Sequence, residues 1–148
     1  MDFSRIDDIV DALYKAISGP PGGQDWDLER QLYHPDARLV RTRVADDGSP
    51  IAFSFDVEGF IEATAPMLAD REFHEIETRR RSFRFGNVAQ LFSEYEARDA
   101  AEDGALLFRG MNMIHLFWDG ARWWIMHIIW DNERDGVTLP DAGWYDQA

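Results

Sequence analysis

The sequence predicts an α+β domain, with helices in its first half set against an antiparallel sheet drawn mostly from its second half. Three observations carry this. Apolar residues recur at helical spacing in three segments before residue 70. From Phe73 onward the pattern changes to four long strand-like runs, 73–85, 88–98, 105–118 and 122–131. Their joints are Gly86-Asn87, the segment DAAEDG and Asp119-Gly120, short turn-forming connections that make neighbouring hairpins.

Taken in order, Phe3, Ile6, Val10, Leu13 and Ile17 form one stripe of a first helix, with Asp7 and Asp8 at its positive end. SGPPGG, residues 18–23, stops it. Asp25 is placed to cap a second, shorter helix bearing Trp26, Leu32 and Tyr33, which His34-Pro35-Asp36 ends. Residues 37–44 read as a strand, ADDGSP as a turn and residues 51–55 as the answering strand. Asp56 caps a third helix whose apolar set is Val57, Phe60, Ile61, Thr64, Ala65 and Leu68, with Pro66 bending or shortening its last turn. The stretch 135–148 has too much turn chemistry for a further regular element and is expected to be an irregular tail of one domain spanning 1–148.

Composition narrows the function classes. With 148 residues, 45% of them hydrophobic, the chain is long enough for one core and too short for two. No cysteine is present, which excludes disulfides, thiolate metal sites and a cysteine nucleophile. A net charge of −13 repels phosphate backbones, so no nucleic acid is expected as a partner. No apolar run reaches the roughly 20 residues of a membrane helix and the acidic start is no signal peptide, so a soluble, cytoplasmic protein is expected. The four histidines, His34, His74, His115 and His127, lie on separate elements without ligand spacing; neither a metal nor another cofactor is expected.

The stretch RWWIMHIIW, residues 122–130, is apolar on both sides of a strand. Strict alternation puts Trp124, Met126, Ile128 and Trp130 on one face, and Trp123, Ile125, His127 and Ile129 on the other. The helices cover one face. A second copy of the chain is the expected cover for the other.

This order of elements resembles the nuclear transport factor two-like superfamily, and within it the bacterial SnoaL-like branch. The segments LYHPDARLVRTR, FGNVAQLFSEYEAR and RGMNMIHLFWDGARWWIMHIIWDNER carry the resemblance. It implies a cone-shaped fold, a curved mixed or antiparallel sheet wrapped around the three helices, with a deep apolar pocket and pairing through the sheet's outer face. It also implies that Met126, Ile128 and Trp130 wall the pocket while Trp123, Ile125, His127 and Ile129 form the dimer interface. Ketosteroid isomerases of this superfamily use an aspartate at the position matching Arg41, which accepts no proton at neutral pH. A second acid of theirs falls on Ile114, and their tyrosine falls near Ala12, close to Tyr14. The isomerase machinery is absent, which leaves catalysis an open question.

The residues weighed for a site are therefore these. Arg41, projecting inward, needs a carboxylate or a ligand anion. Glu96, with Glu94 at the same parity, and Asn112 complete a polar group; Phe60, Phe92, Ile114, Met126, Ile128 and Trp130 line the wall. A self-satisfied Arg41–Glu pair closing the cavity explains the same residues equally well. Tyr14, His74 and Glu96 are the candidates for proton chemistry, against ordinary roles on a helix face or at a sheet edge. The run ETRRRSFRF reads as cross-strand ion pairing of Arg79, Arg81 and Arg84 with SEYEARD rather than as an anion site. Three functions follow: a homodimeric domain binding a hydrophobic or anionic small molecule, an isomerase, dehydratase or hydrolase working by acid/base chemistry, or a dimerisation domain with a filled pocket.

Overall fold

The computed structural model describes residues 1–146. Its elements are α1 (Ile6–Ile17), α2 (Trp26–Leu32), β1 (Tyr33–Val44), β2 (Pro50–Phe55), α3 (Val57–Leu68), β3 (His74–Phe85), β4 (Val88–Arg98), β5 (Leu106–Trp118), β6 (Trp123–Asn132) and α4 (Ala142–Tyr145). Asp25 caps α2 by accepting from the Leu28 amide at 2.9 Å, and Asp56 caps α3 by accepting from Gly59 at 2.7 Å. Pro66 lies within α3, which runs on to Leu68. α2 ends at Leu32, so Tyr33, expected on the helix, opens a longer β1 that also takes in His34-Pro35-Asp36. The tail contains a short helical turn, α4, where no regular element was expected.

The six strands form one sheet in the order β2-β1-β6-β5-β4-β3. Every neighbouring pair is antiparallel except β1 and β6, which run parallel and place the first strand beside the last. Helices α1, α2 and α3 cover one face. Ile9, Leu13, Leu32, Leu39, Leu91, Ile114, Leu116, Trp123 and Ile125 belong to the core between them and the sheet.

The inward row of β6 differs from strict alternation. His115 pairs with His127 and Leu116 with Ile125, so Met126 is an extra residue, a β-bulge. A bulge reverses side-chain parity. Trp123 and Ile125 therefore point into the core, 1% and 0% exposed, and do not belong to an outer interface. Beyond the bulge, Ile128 and Trp130 also point inward. Met126 instead turns outward, into a groove with His34, Phe85, Val88 and Phe117. Of the four residues assigned to the outside, His127 and Ile129 lie there, with the His127 ring 5.9 Å from that of His115.

The outer face is partly covered by the chain's own tail. Trp144 meets Phe92 edge-on at 5.3 Å and lies 4.8 Å from the Arg81 guanidinium, and the Tyr145 ring lies 4.4 Å from Arg79. Aromatic and cation–π contacts of this kind hold a short helix that could not stand alone.

Candidate active site

Between the helices and the sheet lies a cavity of about 290 Å³, at the small end of the range for ligand sites. Phe60 on α3 and Trp130 on β6 meet edge-on at 5.9 Å in its wall, with Ile128 beside them. Arg41 projects into it from β1 and Asn112 from β5. Ile114 is buried in the core without reaching the cavity.

Three other expected wall or site residues lie elsewhere. On β4 the inward row is Ala89, Leu91, Ser93, Tyr95 and Ala97, all buried, so Phe92, Glu94 and Glu96 face the outer side. Glu96 is bound there by Arg98 at 2.8 Å and Arg109 at 3.1 Å, and Glu94 by Arg79 at 2.8 Å. Met126 is outside, as described. No Arg41–Glu pair closes the cavity: Arg41 donates to the Thr64 hydroxyl at 2.7 Å and approaches the Met67 sulfur at 3.7 Å. His74 also lies off the cavity, its Nε2 2.7 Å from Glu72. Of the expected pairs in the arginine run, Arg79–Glu94 forms; Arg81 lies beside Trp144 and Arg84 over Trp123.

Two carboxyls line the cavity instead, Glu29 from α2 and Glu75 from β3. Glu29 is 2% exposed, and its Oε2 is buried with no hydrogen-bond partner. Burial pushes its pKa up to about 8; the Tyr33 hydroxyl beside it pulls the other way, and the charge of Glu75 adds to the rise. Glu75 is half-buried and lines the same cavity. Burial raises it to about 7, against a donor from Asn112 that favours its ionised form. Tyr33, Tyr95 and Tyr14 are held neutral chiefly by burial. Burial thus moves both carboxyls toward neutral pH, and a charge on Glu75 favours the protonated form of Glu29.

A chain of hydrogen bonds behind the cavity fixes the Asn112 amide. Asp7 accepts from Arg80 at 2.7 Å, and Arg80 grips Glu77 at 3.0 Å. Ser93 gives its one hydroxyl proton to Glu77. Tyr14 must then donate to Ser93, at 2.6 Å, and its oxygen is left to accept from Asn112 Nδ2 at 3.1 Å. Tyr14, weighed for proton chemistry against a helix-face role, is buried and orients Asn112, which in turn faces Glu75. Nearby, the Tyr95 hydroxyl donates to Asn132 at 2.6 Å. That pair crosses directly over Gly110, where a Cβ would collide with both partners.

Glu29, Glu75, Tyr33, Tyr95 and Asn132 were not among the expected site residues. The signal for Glu29 was present: it sits three residues after Trp26, three before Leu32 and four before Tyr33, an acid within an apolar stripe. Glu75 lies just before the arginine run that drew attention to β3.

Among the described residues no group of three or more potential metal ligands occurs, and no helix is long and apolar enough to cross a membrane. No family model and no curated protein sequence matches the chain. Solved structures do. A protein of unknown function from Mycobacterium tuberculosis superposes with a TM-score of 0.66 at 18% identity, covering 93% of this chain and 78% of that one. A nuclear-transport-factor-2-like protein of unknown function from Silicibacter pomeroyi gives 0.58 at 16%, covering 86% and 92%. The calcium/calmodulin-dependent kinase II hub of S. rosetta gives 0.62 at 15%, covering 86% and 94%. The architecture is an α+β cone with a one-sided cavity. It is the nuclear transport factor two-like fold.

Proposed function

We propose that this chain is a SnoaL-like enzyme that moves protons on a small hydrophobic molecule held in the cone. The observation that carries the reading is Glu29, a buried carboxyl with an unpartnered oxygen, lining the same cavity as a second carboxyl of lower pKa. Two acids whose environments separate their pKa values near neutrality are what acid/base catalysis at neutral pH requires. Glu75, ionised first, takes a proton from carbon next to a carbonyl. Glu29, still protonated, gives its proton to the carbonyl oxygen, and Asn112 keeps Glu75 oriented. In an unsaturated substrate, return of the proton from Glu75 to a different carbon, with the enol proton going back to Glu29, is an isomerisation. Expulsion of a β-hydroxyl as water, protonated by Glu75 while Glu29 regains the enol proton, is a dehydration. Phe60, Ile128 and Trp130 supply the apolar wall.

We also propose that two copies pair through the part of the outer face that the tail leaves open, around Met113, His127 and Ile129. The hub domain among the structural neighbours supports self-association of this fold, and the exposed Met113 beside Ile129 on the outer face supports it in this chain.

Propiophenone in deuterated buffer tests the chemistry. Its α-protons should exchange faster with the protein than in buffer, and Glu75→Gln should lower the protein-dependent rate at least about 100-fold, the usual scale of general-base catalysis. Exchange no faster than buffer between pH 6 and 8 contradicts the reading.

A further inference from the structure

The mouth of the cavity is chemically unlike its floor. Three arginines border it: Arg41, half-buried, with Arg43 and Arg71, both exposed. Each guanidinium lies near an aromatic ring, Arg41 5.7 Å from Phe60, Arg43 5.5 Å from Phe53 and Arg71 5.8 Å from Phe73. Among the described residues none of the three is in an ion pair; the same holds for arginines 5, 38, 81, 84 and 122, which do not border the cavity, whereas arginines 30, 79, 80, 98, 109 and 134 are paired.

Arg41 makes the point most sharply. Burial lowers its pKa, yet it stays charged, and among the described residues one neutral hydroxyl and one thioether are its only polar contacts. A guanidinium has five donors in a planar fork, so at least three remain for something else. Withdrawing such a charge from water without an anion is costly. The two glutamates that line the same cavity are not paired with it, and burial favours their protonated forms.

Building on the acid/base reading above, we propose that the substrate is a small hydrophobic carboxylate whose anionic group docks on Arg41 at the mouth, with Arg43 and Arg71 adding to the field. Its apolar body lies along Phe60, Ile128 and Trp130, and its uncharged reacting end meets Glu29 and Glu75. The arrangement gives the substrate one orientation: a carboxylate driven to the floor would meet the charge of Glu75, whereas at the mouth it meets three cations. The cavity volume limits the body to one ring or a short chain.

The test compares 3-benzoylpropionate with its neutral primary amide, using tryptophan fluorescence to read Trp130 in the wall. The carboxylate should bind at least about tenfold more tightly than the amide, and the difference should shrink as salt is raised. Arg41→Gln should remove the preference while leaving amide binding within about threefold. Arg41→Lys, which keeps the charge but loses the fork, should retain part of it and serves if the first variant does not fold. Equal or tighter binding of the amide, or no binding of either probe, overturns the proposal. Glu75→Gln separates the two readings. If it keeps the carboxylate preference and no proton exchange is seen on 3-benzoylpropionate with either form, the enzyme reading fails and the docking of the anion stands.

Discussion

Four glutamates of this chain lie on opposite sides of one sheet, and their fates are opposite. Glu29 and Glu75 line the inner cavity, neither ion-paired to an arginine among the described residues, and burial raises both, to about 8 and about 7. Glu94 and Glu96 lie on the outer face. Burial also pushes Glu94 up, but the Tyr145 hydroxyl beside it, the Thr78 hydroxyl and the Arg79 guanidinium outweigh it and hold it below the ordinary value. Glu96 is held low by Arg98 and Arg109. The side chain is the same in all four. The difference teaches that the sheet face, by deciding which partners are in reach, separates acids built for proton exchange from acids that fasten strands.

The largest way to sharpen this contrast is Glu29→Gln. A carboxyl whose folded pKa is raised contributes its stability below about pH 4.5 and loses it as pH rises through the folded value, here about 8. Wild-type stability should therefore fall between pH 4.5 and 8. Glu29→Gln should flatten that slope, gaining about 2–4 kcal/mol at pH 8.5 and almost nothing at pH 4.5. Thermal melts across that range check it; a variant less stable than wild type at pH 8.5 would count against a protonated, unpartnered Glu29.

The outer face should respond with the opposite sign. Arg79→Gln leaves Glu94, with 6% of its side chain exposed, facing fewer donors and should cost about 1–3 kcal/mol at pH 7. Because the Glu94 pKa is depressed, that cost should disappear as pH falls through the folded value, where the carboxyl is protonated anyway. Chemical denaturation at pH 7 and pH 3 reads the difference. Smallest of all, Glu96→Gln should cost under about 1 kcal/mol, since its arginines are partly exposed and screened, and should leave ligand binding unchanged. A loss of binding on Glu96→Gln would return that residue to the cavity.

The contrast between faces was only partly legible in the sequence. On β1 polar and apolar residues do not alternate, since Leu39 and Val40 are both apolar and Arg41, Thr42 and Arg43 all polar; the resemblance, not the period, set Arg41 inward, and it does line the cavity. On β4 the information was there too: Ala89, Leu91, Ser93, Tyr95 and Ala97 are smaller or less charged than Val88, Gln90, Phe92, Glu94 and Glu96. Reading the glutamates inward to satisfy Arg41 overrode that pattern. On β6 nothing marks the bulge. Residues 123–130 are apolar on both sides apart from His127, so a one-residue slip leaves no polar residue visibly out of place. The tail's covering role was hidden for a different reason, since α4 owes its place to Phe92, Arg79 and Arg81 rather than to its own sequence.

The central claim is that two cavity acids share a proton at neutral pH, and carbon-13 NMR of the glutamate carboxyls measures it directly. Two resonances should titrate far above the others, with midpoints near 7 and 8, the first lost in Glu75→Gln and the second in Glu29→Gln. Removing Glu75 should also lower the midpoint of Glu29, because its charge no longer holds that proton in place. If every glutamate titrates between pH 3 and 5, the cavity is an ordinary solvated pocket and the proton chemistry proposed for it is wrong.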